Sequence, residues 1–121
     1  MENYRRFEAV DPYGRSWQVE FRWQQNAISI RHSDAVDVKF QLIQGSEITE
    51  KVIALPHPVL LDLSRKSGRP LTDAWVMKMA ALHIKDMVET DRDMEKTLVT
   101  ASLGDLERYH NKIDAPAPIR R

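Results

Sequence analysis

The sequence predicts an α+β domain in which an N-terminal antiparallel β-meander packs against one long amphipathic helix. Two periodicities lead to this prediction. Apolar and polar side chains alternate through much of residues 4–55, which is typical of strands with one buried side. Apolar side chains then recur at helical spacing over residues 71–90, a segment that contains neither Gly nor Pro. We expect about five strands, a sixth near residues 96–101, a short helix before the long one, and a C-terminal helix.

Turn-forming residues divide the first half of the chain into short strands. Asp, Asn, Pro and Gly favour turns because they accept local hydrogen bonds, preset φ or tolerate positive φ. Such residues predict turns at 11–14, 24–26, 32–34 and 44–46. Strands are therefore expected over residues 4–10, 16–23, 27–32, 35–43 and 47–55. In the second strand, the buried side is predicted to carry Trp17, Val19, Phe21 and Trp23.

The second half of the chain is predicted to be mainly helical. A short helix over residues 59–66 follows Pro56 and Pro58, and a long helix over 71–90 follows with Thr72 as its N-cap. The β-branched residues of 96–101 favour a strand, although 94–96 could instead extend a helix into it. Ser102 and Asp105 have the spacing of a capping box, which predicts a last helix beyond them.

Composition indicates one domain, over residues 1–114, with a flexible tail over 115–121. The 121 residues include 18 basic and 18 acidic side chains, so zero net charge gives no general attraction to nucleic acid or anionic membrane. The chain has no cysteine, which excludes disulfides and thiolate chemistry. No apolar run approaches the roughly 20 residues that span a bilayer, so a cytoplasmic protein without membrane contact is expected.

Residues that could support catalysis are sparse. The histidines His32, His57, His83 and His110 lie far apart, without the spacing of metal ligands, so neither a metal nor another cofactor is expected. No phosphate-binding or nucleophile motif occurs, and an enzyme is the less favoured interpretation. His83 lies on the apolar arc of the long helix. It is either a core histidine with a hydrogen-bond partner or a base in a pocket, and it is the one pocket candidate.

Three functional hypotheses remain. The favoured one is a small soluble, non-catalytic binding or assembly protein that acts through protein–protein contacts as a homodimer, because Trp and Met supply adaptable apolar area. The alternative is a nucleic-acid-binding module that uses the polar side of the sheet. Its candidate residues are Arg6, Tyr13, Arg15, Arg22, Arg31 and Lys39. Interleaved acidic residues argue against it, because cross-strand ion pairs explain the same pattern. The third hypothesis is an enzyme or ligand pocket near His83.

Overall fold

The computed structural model describes residues 3–27 and 35–114, and these form an α+β domain with one mixed sheet. In chain order the elements are β1 (Arg6–Val10), β2 (Ser16–Ala27), β3 (Ala35–Gln44), β4 (Glu47–Pro56), α1 (His57–Ser67), α2 (Asp73–Thr90), β5 (Leu98–Thr100) and α3 (Leu103–Asp114). The long helix, the short helix before it and the last helix agree with the sequence predictions to within about two residues at most ends.

The sheet has the order β1-β2-β3-β4-β5, and the first four strands form an antiparallel meander, as expected, although the described residues give it four strands rather than about five. The segment predicted as a sixth strand is β5, but it is parallel to β4. The prediction of a purely antiparallel sheet is therefore wrong at this edge. The physical reason is the connection, because α1 and α2 carry the chain across the sheet between β4 and β5, as parallel neighbours require.

Strand β2 departs from the prediction in its second half. The predicted turn at 24–26 is wrong, since the strand continues to Ala27 and pairs with β3 as far as Ala35. A register shift between Phe21 and Trp23 marks a bulge, and beyond it Trp23 lies opposite Lys39 rather than Val38. One extra residue turns the following side chains to the other side of the sheet. Trp23 is thus not on the buried side with Trp17, which corrects the sequence prediction.

Two sequence predictions fall outside the described residues. The strand expected over 27–32 and its turn lie there except for Ala27, which belongs to β2. The tail predicted over 115–121 also lies outside.

Helix α2 is the centre of the core. It contacts β1, β2, β3, β4 and α3, and α1 contacts β4 and α3. Because the sheet covers α2 on one side and α3 packs against another, α2 is buried on more sides than an amphipathic stripe requires. Even Ala81, which is two positions from His83 and so on the opposite side of the helix, is inaccessible. The hydroxyl of Thr72 accepts a hydrogen bond from the backbone N of Trp75 (3.1 Å), which confirms the predicted N-cap.

The capping box of α3 is also confirmed. The backbone N of Asp105 donates to Ser102 Oγ at 3.1 Å, and the backbone N of Ser102 donates to Asp105 Oδ2 at 3.2 Å. This reciprocal pair fixes where α3 begins and directs its apolar side, including Leu106 and Tyr109, into the core.

Lys51 is a charged residue that is buried on the helix-covered side of the sheet. Lys51 of β4 is opposite the buried Phe40 and is itself only 1% exposed. Its Nζ donates to the backbone oxygens of Met94 (2.7 Å) and Lys96 (2.5 Å). Burial lowers the pKa of the Lys51 ammonium, while the charges of acidic residues in the same loop oppose that change. Lys51 therefore fastens the segment between α2 and β5 to the sheet.

Candidate functional site

His83, the predicted pocket candidate, lies in the middle of α2 and has no accessible surface. Its Nδ1 is 2.8 Å from the hydroxyl oxygen of Tyr109, which is equally buried on α3, and the two rings meet edge to face at 5.6 Å. Burial lowers the pKa of His83 to about 4, although the charge of Asp105 opposes this change. His83 is consequently neutral at pH 7, and it lines none of the three surface cavities described below.

A carboxylate and two arginines lie beside this pair. Asp105 Oδ2 is 3.1 Å from Arg92 Nη2, and Asp105 Oδ1 is 2.6 Å from Arg108 Nη2. Burial raises the pKa of Asp105, but hydrogen bonds from Ser102, Arg92 and Arg108 outweigh it and hold this pKa well below its usual range. Asp86 of α2 lies 3.7 Å from Arg92 Nη1. The cluster ties α3 to the end of α2, and each charged group in it has an opposite charge nearby.

A second polar cluster occupies the turn between β1 and β2. The buried carboxylate of Asp11 accepts hydrogen bonds from the backbone N of Tyr13, the backbone N and Nε of Arg15, and Nε1 of Trp17, at 2.8–3.1 Å. Burial raises the pKa of Asp11, but these bonds dominate and lower it to about 2. The hydroxyl of Tyr13 reaches Asp91 Oδ2 at 3.1 Å, which joins the turn to the end of α2.

Surface cavities among the described residues include three on the helix-covered side and its margins. The one next to the Asp11 turn has a volume of about 250 Å³ and includes Glu47, Thr49 and Asp91 in its walls. A similar one lies between Tyr4, α2 and α3, and a smaller one of about 160 Å³ lies between α1 and α3. Within residues 3–27 and 35–114, no three His, Asp or Glu side chains are arranged to hold a metal ion.

The side of the sheet opposite the helices is here called the open face. Its outward residues are exposed or half-buried except for Ala54, which is buried. Four of the exposed ones are large apolar side chains with 38–60% of their surface exposed: Val10, Trp23, Ile48 and Leu98. The strand register places one row of side chains across four strands, from β2 to β5: Trp23, Lys39, Val52 and Leu98. Lys39 Nζ lies 5.7 Å from the Trp23 ring centroid and 3.0 Å from Glu50 Oε1.

The candidate nucleic-acid residues are divided between two places. Arg6 and Lys39 lie on the open face, where they pair with Glu20 (3.6 Å) and Glu50 respectively. The Lys39 hydrogen bond and, less strongly, the charge of Arg22 lower the pKa of Glu50, which places Arg22 near this group.

Tyr13 and Arg15 instead belong to the Asp11 turn, and Arg31 lies outside the described residues. Sequence reasoning missed Trp23, because no Gly or Pro signals the bulge that turns it outward.

Comparisons of the chain with models of protein families, with curated proteins and with solved structures find no match. None of the helices in the described ranges is long and apolar enough to cross a membrane.

Proposed function

We propose that the protein is a small non-catalytic assembly protein that acts through protein–protein contacts and associates with a second copy of itself. The support is the one-sided architecture of the domain. All three helices contribute to a single core with one side of the sheet, and the open face keeps large apolar side chains in contact with solvent. Exposed apolar area on one surface is typical of interaction sites.

Trp23 is the observation that carries the proposal. A regular strand would bury this ring with Trp17, but the bulge at Arg22 places it on the open face with 38% of its surface exposed. Tryptophan is enriched among the residues that dominate binding energy at protein interfaces. Around it the charges are mixed and paired, and the net charge is zero, so two copies approach without general repulsion.

Sedimentation velocity over a wide concentration range tests the proposal. The wild-type protein is expected to shift from monomer towards dimer as concentration rises, and Trp23→Ser is expected to weaken this association. Leu61→Ser is the matched control, because Leu61 is similarly exposed (41%) but lies on α1, away from the open face. A wild-type protein that stays monomeric at the highest soluble concentration contradicts the proposal.

A nucleic-acid-binding role is the second candidate, and one observation favours it. Trp23 provides an exposed ring on the same surface as Arg6 and Lys39, and bases stack on such rings. Titration with a single-stranded oligonucleotide at low salt is then expected to quench the tryptophan fluorescence of the wild type but not of Trp23→Ser. Unchanged wild-type fluorescence contradicts this second candidate.

A further inference from the structure

The second half of β2 is paired on one side only among the described residues. Strand β1 pairs with residues 16–20 of β2, and the last backbone bond between these two strands runs from Phe21 N to Arg5 O (2.7 Å). On its other side, β2 continues in register with β3 from Trp23 to Ala27. Residues 23–27 are here called the open edge, because their outer backbone groups have no strand beside them in the described ranges.

The N-terminal end of β1 explains why the described residues before it do not cover the open edge. The side-chain oxygen of Asn3 accepts hydrogen bonds from the backbone N of Arg5 (2.9 Å) and of Arg6 (3.2 Å), which bends the chain just before the strand. Tyr4, which lies within this bend just before Arg5, is next to α2, and its ring centroid is 5.6 Å from Lys78 Nζ. The described chain before β1 therefore leads towards the helices rather than along β2.

The composition of the open edge suits pairing with an identical strand. Its sequence is Trp-Gln-Gln-Asn-Ala, which contains neither a charged residue nor a proline. Charged residues and proline are two features by which proteins commonly protect exposed edges from pairing. The bulge at Arg22 precedes this segment and does not interrupt it. Five residues in extended conformation offer about 17 Å of regular edge.

We infer that two copies pair through their open edges in antiparallel orientation, so that one sheet continues from one copy into the other. This inference rests on the self-association proposed above. A two-fold axis perpendicular to the sheet produces an antiparallel pair, as dimer symmetry allows. Residues that lie directly opposite each other in an antiparallel pair have their side chains on the same side of the sheet, so the axis must pass between the two copies of one residue. Gln25 is the middle residue of the open edge, and we place the axis there.

With the axis at Gln25, the pairing has no electrostatic cost and a defined geometry. Gln25 of one copy lies opposite Gln25 of the other, the backbone of Trp23 lies opposite that of Ala27 in the other copy, and the sequence of 23–27 has no charged residue that could meet a like charge. Both Trp23 rings then lie on one continuous open face. A strand from another protein could add to the same edge, but only a second copy guarantees a neutral segment of equal length on both sides.

Cysteine cross-linking tests the arrangement directly, because the natural chain contains no cysteine. Gln25→Cys places two thiols opposite each other at the axis, within the Cα separation of about 4.4–6.8 Å that a disulfide needs. Gln18→Cys is the matched control on the same strand, because Gln18 lies between β1 and β3. Gln25→Cys is expected to form covalent dimers at least about tenfold faster on mild oxidation. Equal rates for the two variants would overturn the inference.

Two charged variants separate edge pairing from stacking of the open faces. Gln25→Lys brings like charges together at the axis and is expected to weaken the dimer at least about tenfold. Leu98→Asp, on β5 at the far side of the sheet, is expected to leave it unchanged. If Leu98→Asp dissociates the dimer and Gln25→Lys does not, the copies stack by their open faces, so the proposed function stands and edge pairing falls. A wild-type protein that stays monomeric contradicts both the proposed function and edge pairing.

Discussion

The buried pair of His83 and Tyr109 should make the protein acid-sensitive in a defined pH range. His83 has its pKa lowered to about 4 in the folded protein, against 6.5 when exposed, because burial disfavours the charged ring. Below pH 6.5 the unfolded chain binds a proton that the folded chain does not, so stability falls as the pH falls towards 4. The two pKa values differ by about 2.5, and at roughly 1.4 kcal/mol for each pH unit the loss approaches about 3 kcal/mol.

Urea unfolding at several pH values between 8 and 4 measures this loss. The double variant His83→Leu/Tyr109→Phe should lack the His83 contribution to the pH dependence, because it has neither the ring nor its hydroxyl partner. At pH 8 Tyr109→Phe alone should cost about 1–3 kcal/mol, since His83 Nδ1 is left buried without its partner, whereas removing both polar groups should cost less. The carboxylates of Asp11 and Asp105 do not obscure the effect, because their contributions are lost mainly nearer to and below pH 3.8.

Two results would refute this reasoning. One is a double variant that retains the full wild-type loss of stability between pH 6.5 and 4. The other is Tyr109→Phe costing no more than Tyr13→Phe, the matched control, in which an exposed hydroxyl loses its bond to Asp91.

Three further predictions concern single side chains. Lys51→Met should lower the unfolding free energy by about 1.5–3 kcal/mol, because two backbone oxygens lose a charged donor, whereas Lys39→Met on the open face should change it by less than about 1 kcal/mol. Ser102→Ala should cost about 1 kcal/mol in urea unfolding through loss of the α3 capping box, and Ser46→Ala in an exposed turn should cost little. Asp11→Asn should lower the melting temperature at pH 7, and the difference from wild type should shrink as the pH falls from 3.8 towards 2, where Asp11 itself becomes protonated.

The sequence was sufficient for much of the fold because most strands and helices keep a strict period. Residues Val36, Val38, Phe40 and Leu42 alternate without interruption and are all buried on one side of β3. The prediction failed at Trp23 because a bulge leaves the alternation of apolar and polar residues in the sequence unchanged. It nevertheless moves the side chains that follow it to the other side of the sheet. It also could not give the direction of β5, since that depends on the path of α1 and α2 rather than on the strand itself.

The candidate sites were less predictable because they depend on distant residues. His83 was correctly placed on the apolar arc of α2, but its partner Tyr109 lies 26 positions away on α3, and no spacing rule joins them. The open edge likewise results from the unequal lengths of β1 and β2. A pattern read along one strand carries no information about how far its neighbour extends.

The inward-pointing Lys51 has a consequence for the chain while it is being synthesised. The four meander strands precede α2 and β5, so at that stage β4 is an edge strand and its apolar side is still uncovered. An ammonium group in the middle of that side opposes pairing with another nascent chain, as inward charges do on vulnerable strands. Once the loop at Met94 and Lys96 is in place, its carbonyl oxygens accept hydrogen bonds from the same ammonium group, which then fastens that loop to the finished sheet.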